Sequence, residues 1–226
     1  MSGTATATAS PGTGDAARRR VAILVFDEVE VLDFTGPFEV LCALRLDEAT
    51  RRESESPYEV IVAGVRDGLV RCRGGLKVQP DCRIGDLDPA SLDTLMVPGG
   101  FGVRPLLQDA RFIDWLRRAG PQPRRLASVC TGSLLLAEAG QLDGREATTH
   151  WKSLDWMARD WPAVRVQRER HWVVDGRVAT SAGISAGIDL ALKLIEADFG
   201  ERLARATAKH MEYPFPEDDA RRLPDA

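Results

Sequence analysis

The chain has 226 residues, 44% of them hydrophobic and 28% charged, with a formal net charge of −4. That length allows one well-buried core and is short for two, because domains run to roughly 100–200 residues. A negative balance without a sustained Lys/Arg stripe excludes an electrostatic case for nucleic acid or an anionic membrane surface as partner, and no run approaches the roughly 18–20 apolar residues that span a bilayer.

Residues 1–19 are rich in Ala, Thr, Ser and Gly and hold no apolar block of the secretory type. They read as a disordered tail on a cytoplasmic protein. A single domain is expected over 20–213. Its first element, 21–26, is an unbroken apolar run with β-branched residues, the texture of a strand buried on both faces of a parallel sheet. The texture recurs at 58–65, 94–97 and 125–129. Helical patterns lie between at 36–48, 111–119 and 133–139. This alternation predicts an α/β fold with a mostly parallel layered sheet, helices on both faces and right-handed crossovers.

Two stretches interrupt the alternation, 67–82 and 164–180, the second with an Asp175-Gly176 turn. Each reads as a β-hairpin added to the main sheet. After Ile184, apolar residues Ile188, Ala191, Leu192, Ile195 and Phe199 keep helical spacing as far as Gly200, a good C-terminal cap. A second helix follows over 201–211. The prolines and charges of 214–226 read as a loose tail.

The chemistry centres on Ser128-Val129-Cys130-Thr131-Gly132, which follows a buried strand and opens a helix. It has the form of a nucleophile elbow with Cys in the nucleophile's place. Such a turn lifts the side chain above the carboxyl ends of the strands, where open α/β sheets bind ligands. The helix N-terminus behind it favours a thiolate. The plainer alternative is a buried structural cysteine, which describes Cys42 on an apolar helix face.

A second strand ends in Val97-Pro98-Gly99-Gly100-Phe101-Gly102, where glycines let backbone approach a ligand. The N–H groups of Gly100 and Thr131 could together hold developing negative charge; the alternative is an ordinary turn. The first strand delivers a third component, an acid. Asp27, Glu28, Glu30 and Asp33 all follow it, and Asp33 is preferred because Leu32 and Phe34 flank it just before the helix. Desolvation beside a sulfur anion would keep such a carboxyl protonated, although an N-cap role is an equally common use of Asp. His150 could partner Cys130, but a structural role fits it better. His171 has no evident partner, and His210-Met211-Glu212 imitates an amidotransferase pair by coincidence. The three histidines and the four cysteines (Cys42, Cys72, Cys82, Cys130) match no metal-ligand or redox spacing, so no metal or cofactor is expected.

These segments in this order, with Ala147-Thr148-Thr149-His150-Trp151 and Ser181-Ala182-Gly183-Ile184-Ser185-Ala186-Gly187-Ile188-Asp189, resemble the ThiJ/PfpI superfamily, and within it the isonitrile hydratase branch. The resemblance covers about 21–213. It implies a flavodoxin-like fold, a homodimer, a small-molecule substrate, an elbow cysteine at Cys130 followed by Thr131, and an acid at Asp33 from the Leu-Asp-x-x-x-Pro segment. It also places the Gly183-Ile184 turn beside the nucleophile, so that Ile184 walls the pocket, while the glycine loop read from the residues sets Gly99 and Gly100 against the substrate. The reaction it implies is cofactor-free hydration of an isonitrile to an N-substituted formamide. Two alternatives keep Cys130: a glyoxalase-like enzyme for reactive carbonyls, and a non-catalytic sensor. The His-Trp and Ala-Gly-Ile-Asp segments also occur in the ligand domains of certain AraC-type regulators, which continue into a helix-turn-helix for which this chain leaves no room.

Overall fold

A computed structural model describes residues 17–222. The expected N-terminal tail lies outside them apart from its last three residues, and Arg19 already belongs to the first strand. That strand, β1 (Arg19–Val25), buries its apolar run completely. Helix α1 (Val31–Ala43) and strand β2 (Tyr58–Gly64) follow. The expected first hairpin resolves into short strands β3 (Val70–Arg71), β4 (Lys77–Val78) and β5 (Cys82–Arg83). Strand β6 (Thr94–Val97) leads into helices α2 (Val103–Leu107) and α3 (Ala110–Ala119), and β7 (Arg125–Val129) into α4 (Gly132–Glu138). The remainder is β8 (Glu146–Ala147), α5 (Leu154–Asp160), β9 (Arg165–Val166), β10 (Trp172–Asp175), β11 (Val178–Ser181), α6 (Ala186–Phe199) and α7 (Glu201–His210).

Seven strands form the main sheet in the order β10-β11-β7-β6-β1-β2-β5, and only β10 runs antiparallel to its neighbour. Helices α1, α6 and α7 pack against one another, as do α2, α3 and α4, giving the helical layers that cover the sheet. The chain moves from β1 to β2 on one side and returns to β6 and β7 on the other. The loops after β1, β6 and β7 therefore diverge at a topological switch point, the usual ligand crevice of such sheets. Those three loops carry the predicted acid, the glycines and the cysteine. Among the described residues no helix is long and apolar enough to cross a membrane.

Four sequence expectations need correction. Helix α1 begins at Val31, five residues before the expected start, so the Gly36-Pro37 pair lies inside it. Pro37 is the seventh residue of the helix, so it forfeits the bond its N–H would have given the Asp33 carbonyl. A Cβ on Gly36 would stand 2.9 Å from Ile188 Cγ1, so this glycine is a notch for the α1–α6 crossing and not a start signal. The 67–82 stretch is not a hairpin of the main sheet: β3 and β4 pair only with each other, and β5 alone joins the edge. In 164–180, β10 and β11 do extend the sheet through the Asp175-Gly176 turn, whereas β9 pairs with β8.

The fourth correction concerns the C-terminal segment, which is seated rather than loose as far as residue 222. The His171 N–H donates to Asp219 O at 2.6 Å and the Arg221 N–H to Glu169 O at 2.8 Å. Arg205 pairs with Glu217, and Arg222 with Asp189. Prolines forbid helix in this segment, but an extended strap can still find carbonyl partners along the β10 side.

Candidate active site

The turn after β7 puts Cys130 in the left-handed region at φ 57°, a conformation that costs a non-glycine residue strain and marks a nucleophile elbow. Four bonds hold it. The Cys130 N–H is shared between Ser181 O at 3.1 Å and Ala182 O at 3.2 Å, and the Cys130 carbonyl accepts from Ser133 Oγ at 3.1 Å and Thr149 Oγ1 at 3.0 Å. Close approach at Gly132 lets the turn fit, since a Cβ there would lie 2.0 Å from Val97 O. Gly183 plays the matching part on the other side: its Cβ would meet the Cys130 Sγ at 2.5 Å. The sulfur is thus nearly enclosed, and Cys130 is only 6% exposed.

Asp33 sits in the first turn of α1, fully buried. It does not cap that helix, whose N-cap is Glu30. Its Oδ2 instead accepts the Gly99 N–H at 3.0 Å, and its side chain is in contact with that of Cys130. Oδ1 is buried with no partner among the described residues, so the contact to sulfur is looser than a well-formed hydrogen bond. Loose catalytic bonds of this kind commonly tighten around a substrate. Asp33 is the carboxylate that faces the cysteine. Glu28 turns away to pair with Arg73 at 3.3 Å, and Glu30 lines the cavity in front.

Burial raises the Asp33 carboxyl to about 8, against the opposing pull of the Gly99 N–H. Burial and then the Asp33 charge push the Cys130 thiol well above its ordinary value, outweighing the N–H and hydroxyl of Thr131. Two acids in one desolvated site resist a double negative charge. Desolvation therefore opposes the expected resting thiolate and favours the protonated form of each partner. The oxyanion expectation also changes. The Gly100 N–H is occupied by Thr131 Oγ1 at 3.0 Å, while the Gly99 N–H serves Asp33. The glycine loop thus orients the acid and Thr131.

A cavity of about 290 Å³ opens over the sulfur. Cys130, Thr131, Gly100 and Ile184 all line it, as do Phe101, Val103 and Trp156. His150 lines it too, with Nδ1 accepting the Lys152 N–H at 3.3 Å, so the ring caps a turn. Burial and the Lys152 and Arg221 cations push His150 down, leaving it uncharged. His171 lies outside the cavity and does have a partner: its Nε2 is 3.0 Å from Asp189 Oδ2. His210 ends α7 in solvent, away from the cavity.

A family model described as the DJ-1/PfpI family matches residues 19–197. The chain belongs to the DJ-1/PfpI family. Among curated proteins it is similar to an isonitrile hydratase of Pseudomonas putida, 37% identical over 205 residues that cover 89% of this chain and 82% of that protein. It is also 38% identical over 152 residues, 65% of its length, to the HTH-type transcriptional regulator CdhR of Pseudomonas aeruginosa, of which the match covers 43%. Among solved structures, a ThiJ/PfpI family protein from Pseudomonas syringae superposes with a TM-score of 0.75 at 26% identity, covering 95% of this chain and 84% of that one.

In this DJ-1/PfpI chain the sequence reading missed the residues that tie the elbow to its surroundings. Ser133 and Thr149 both hold the Cys130 carbonyl, and Thr149 stands in the Thr-Thr-His-Trp segment where attention went to the neighbouring histidine. Arg104 lines the cavity from α2, Lys152 from the segment leading into α5 and Trp156 from α5 itself. Only the pairing of distant loops could have shown them.

Proposed function

We propose that the chain is a hydro-lyase that hydrates an isonitrile, R–N≡C, to the formamide R–NH–CHO. The single observation that carries this reading is Asp33, fully buried and set against the Cys130 side chain beneath a small cavity, where desolvation favours its protonated form. A terminal isonitrile carbon must receive both a nucleophile and a proton, and a neutral Cys130/Asp33 site holds both without separating charge.

In the first step the Cys130 sulfur bonds to the terminal carbon. The Asp33 proton passes to that same carbon and the thiol proton returns to Asp33, giving the thioimidate R–N=CH–S–Cys130. Asp33 next protonates the nitrogen and, as a carboxylate, takes a proton from the water whose oxygen adds to the carbon. Collapse breaks the C–S bond, forms the formyl C=O and returns the hydroxyl proton to sulfur. Thr131, held by the Gly100 N–H, and Ile184 shape the space around the reacting carbon.

Mass spectrometry of product and intact protein tests the reading. The parent should form the formamide and Cys130→Ser should form none. Asp33→Asn should lose roughly 10²–10⁴ in rate, the usual worth of a positioned acid. Turnover surviving in Cys130→Ser would end the proposal. Likeness to a transcriptional regulator supports a second reading, a ligand sensor, which stoichiometric isonitrile binding without formamide would select.

A further inference from the structure

Two cations stand at the rim of the Cys130 cavity without carboxylate partners among the described residues. Arg104, exposed on α2, holds its guanidinium carbon 5.0 Å from the centre of the Trp156 ring. Lys152, exposed in the segment that leads into α5, holds Nζ 5.0 Å from the centre of the Trp151 ring. Aromatic faces fix the direction of a cation but leave its charge uncompensated. Nearby arginines differ, because Arg73 is paired with Glu28 and Arg66 with Asp109.

The lining holds one opposing charge, Glu30. Burial pushes His150 toward its neutral form and favours the protonated forms of Asp33 and Cys130. The cavity is therefore net positive in a chain whose formal net charge is −4. Its lining also presents apolar side chains, those of Phe101, Val103 and Ile184. At about 290 Å³ it falls at the lower limit of the roughly 300–1,000 Å³ usual for ligand sites, so its occupant is compact.

We infer that this cavity selects a small substrate with an apolar body and a carboxylate end, which Arg104 and Lys152 clamp at the rim while the reactive carbon meets Cys130. The inference rests on Cys130 as the nucleophile and names the substrate class that the proposed hydratase would prefer.

Two matched pairs of probes test it. The first is a carboxylate-bearing aliphatic isonitrile against its methyl ester, compared by kcat/KM. The second is iodoacetate against iodoacetamide, compared by the rate of Cys130 modification, which needs no turnover. In each pair the anion-to-neutral ratio should fall roughly tenfold in the Arg104→Gln/Lys152→Gln double variant, and further salt should lower the parent's ratio. In Glu30→Gln the ratio should rise, an opposite sign that a merely structural disturbance would not produce. Alkylation ratios that follow these signs while no isonitrile reacts would uphold the anion preference and reject the hydratase. Ratios that do not move in the double variant, or that fall in Glu30→Gln, would overturn the preference even if isonitriles are hydrated.

Discussion

Asp33 and Cys130 confront each other inside the protein, and the cost of ionising either one governs the site. Asp33 keeps its proton to about 8 in the folded chain and releases it near its ordinary 3.8 when unfolded. Between those values the folded state holds one more proton. The stability Asp33 contributes is thus complete below 3.8, declines as pH rises and is lost above about 8. Asp33→Asn cannot titrate, so across that interval the variant should gain stability relative to the parent, on the order of a few kcal/mol, and level off at higher pH. Thermal unfolding of both proteins at several pH values measures this, and parallel pH dependences would count against it. The same titration sets activity, which should fall as pH rises through about 8 and the acid loses its proton. The sequence made Cys130 legible because an elbow is a local pattern, strand then turn then helix. It expected Asp33 to be desolvated, and Asp33 is buried, although of its two apolar neighbours only Phe34 is buried and Leu32 is exposed. It weighed the charge on sulfur from the helix end alone, which is local, whereas the burial that opposes a thiolate is tertiary.

The elements matter because three loops must converge to within hydrogen-bonding reach. Strands β1, β6 and β7 were legible as apolar runs, and the observed bounds of β6 and β7 coincide with the expected ones. Helix α1 was misplaced because Gly36-Pro37 looks like punctuation, yet here it fits against Ile188 of α6. Inside the elbow there is no such slack. A Cβ on Gly132 would collide with backbone, the Val97 carbonyl at 2.0 Å, which no rotamer can relieve. Gly132→Ala should therefore destabilise the fold by about 2–4 kcal/mol and reduce Cys130-dependent turnover with it. Urea unfolding checks the first effect. A variant as stable as the parent would show that the β6 and β7 loops are not locked together as described.

At the scale of the whole molecule, the C-terminal strap closes the account of the site. Arg221 donates from Nε to Arg168 O at 2.6 Å, and from Nη2 to Thr148 Oγ1 at 2.6 Å and Thr149 O at 3.2 Å. Thr149 in turn holds the Cys130 carbonyl. A segment whose composition reads as loose is thereby joined, through one threonine, to the nucleophile. Composition could not reveal this, because what anchors the strap is a set of carbonyls from residues 148–170 that the fold collects in one place. Arg221→Ala should cost about 1–3 kcal/mol, chiefly from carbonyl and hydroxyl groups left without partners, and should raise hydrogen exchange across 147–150. Unchanged exchange there would detach the strap from the site.

The central claim is that burial first, and then the neighbouring Asp33, disfavour the thiolate form of Cys130. The most direct test is the rate of Cys130 alkylation by iodoacetamide as a function of pH, read on the Cys130 peptide in parent and Asp33→Asn proteins. The parent rate should rise only well above the ordinary thiol value of 9.0, and the rise should move to lower pH when the carboxyl is replaced. A parent cysteine already fully reactive at neutral pH, with a profile that Asp33→Asn does not shift, would contradict it.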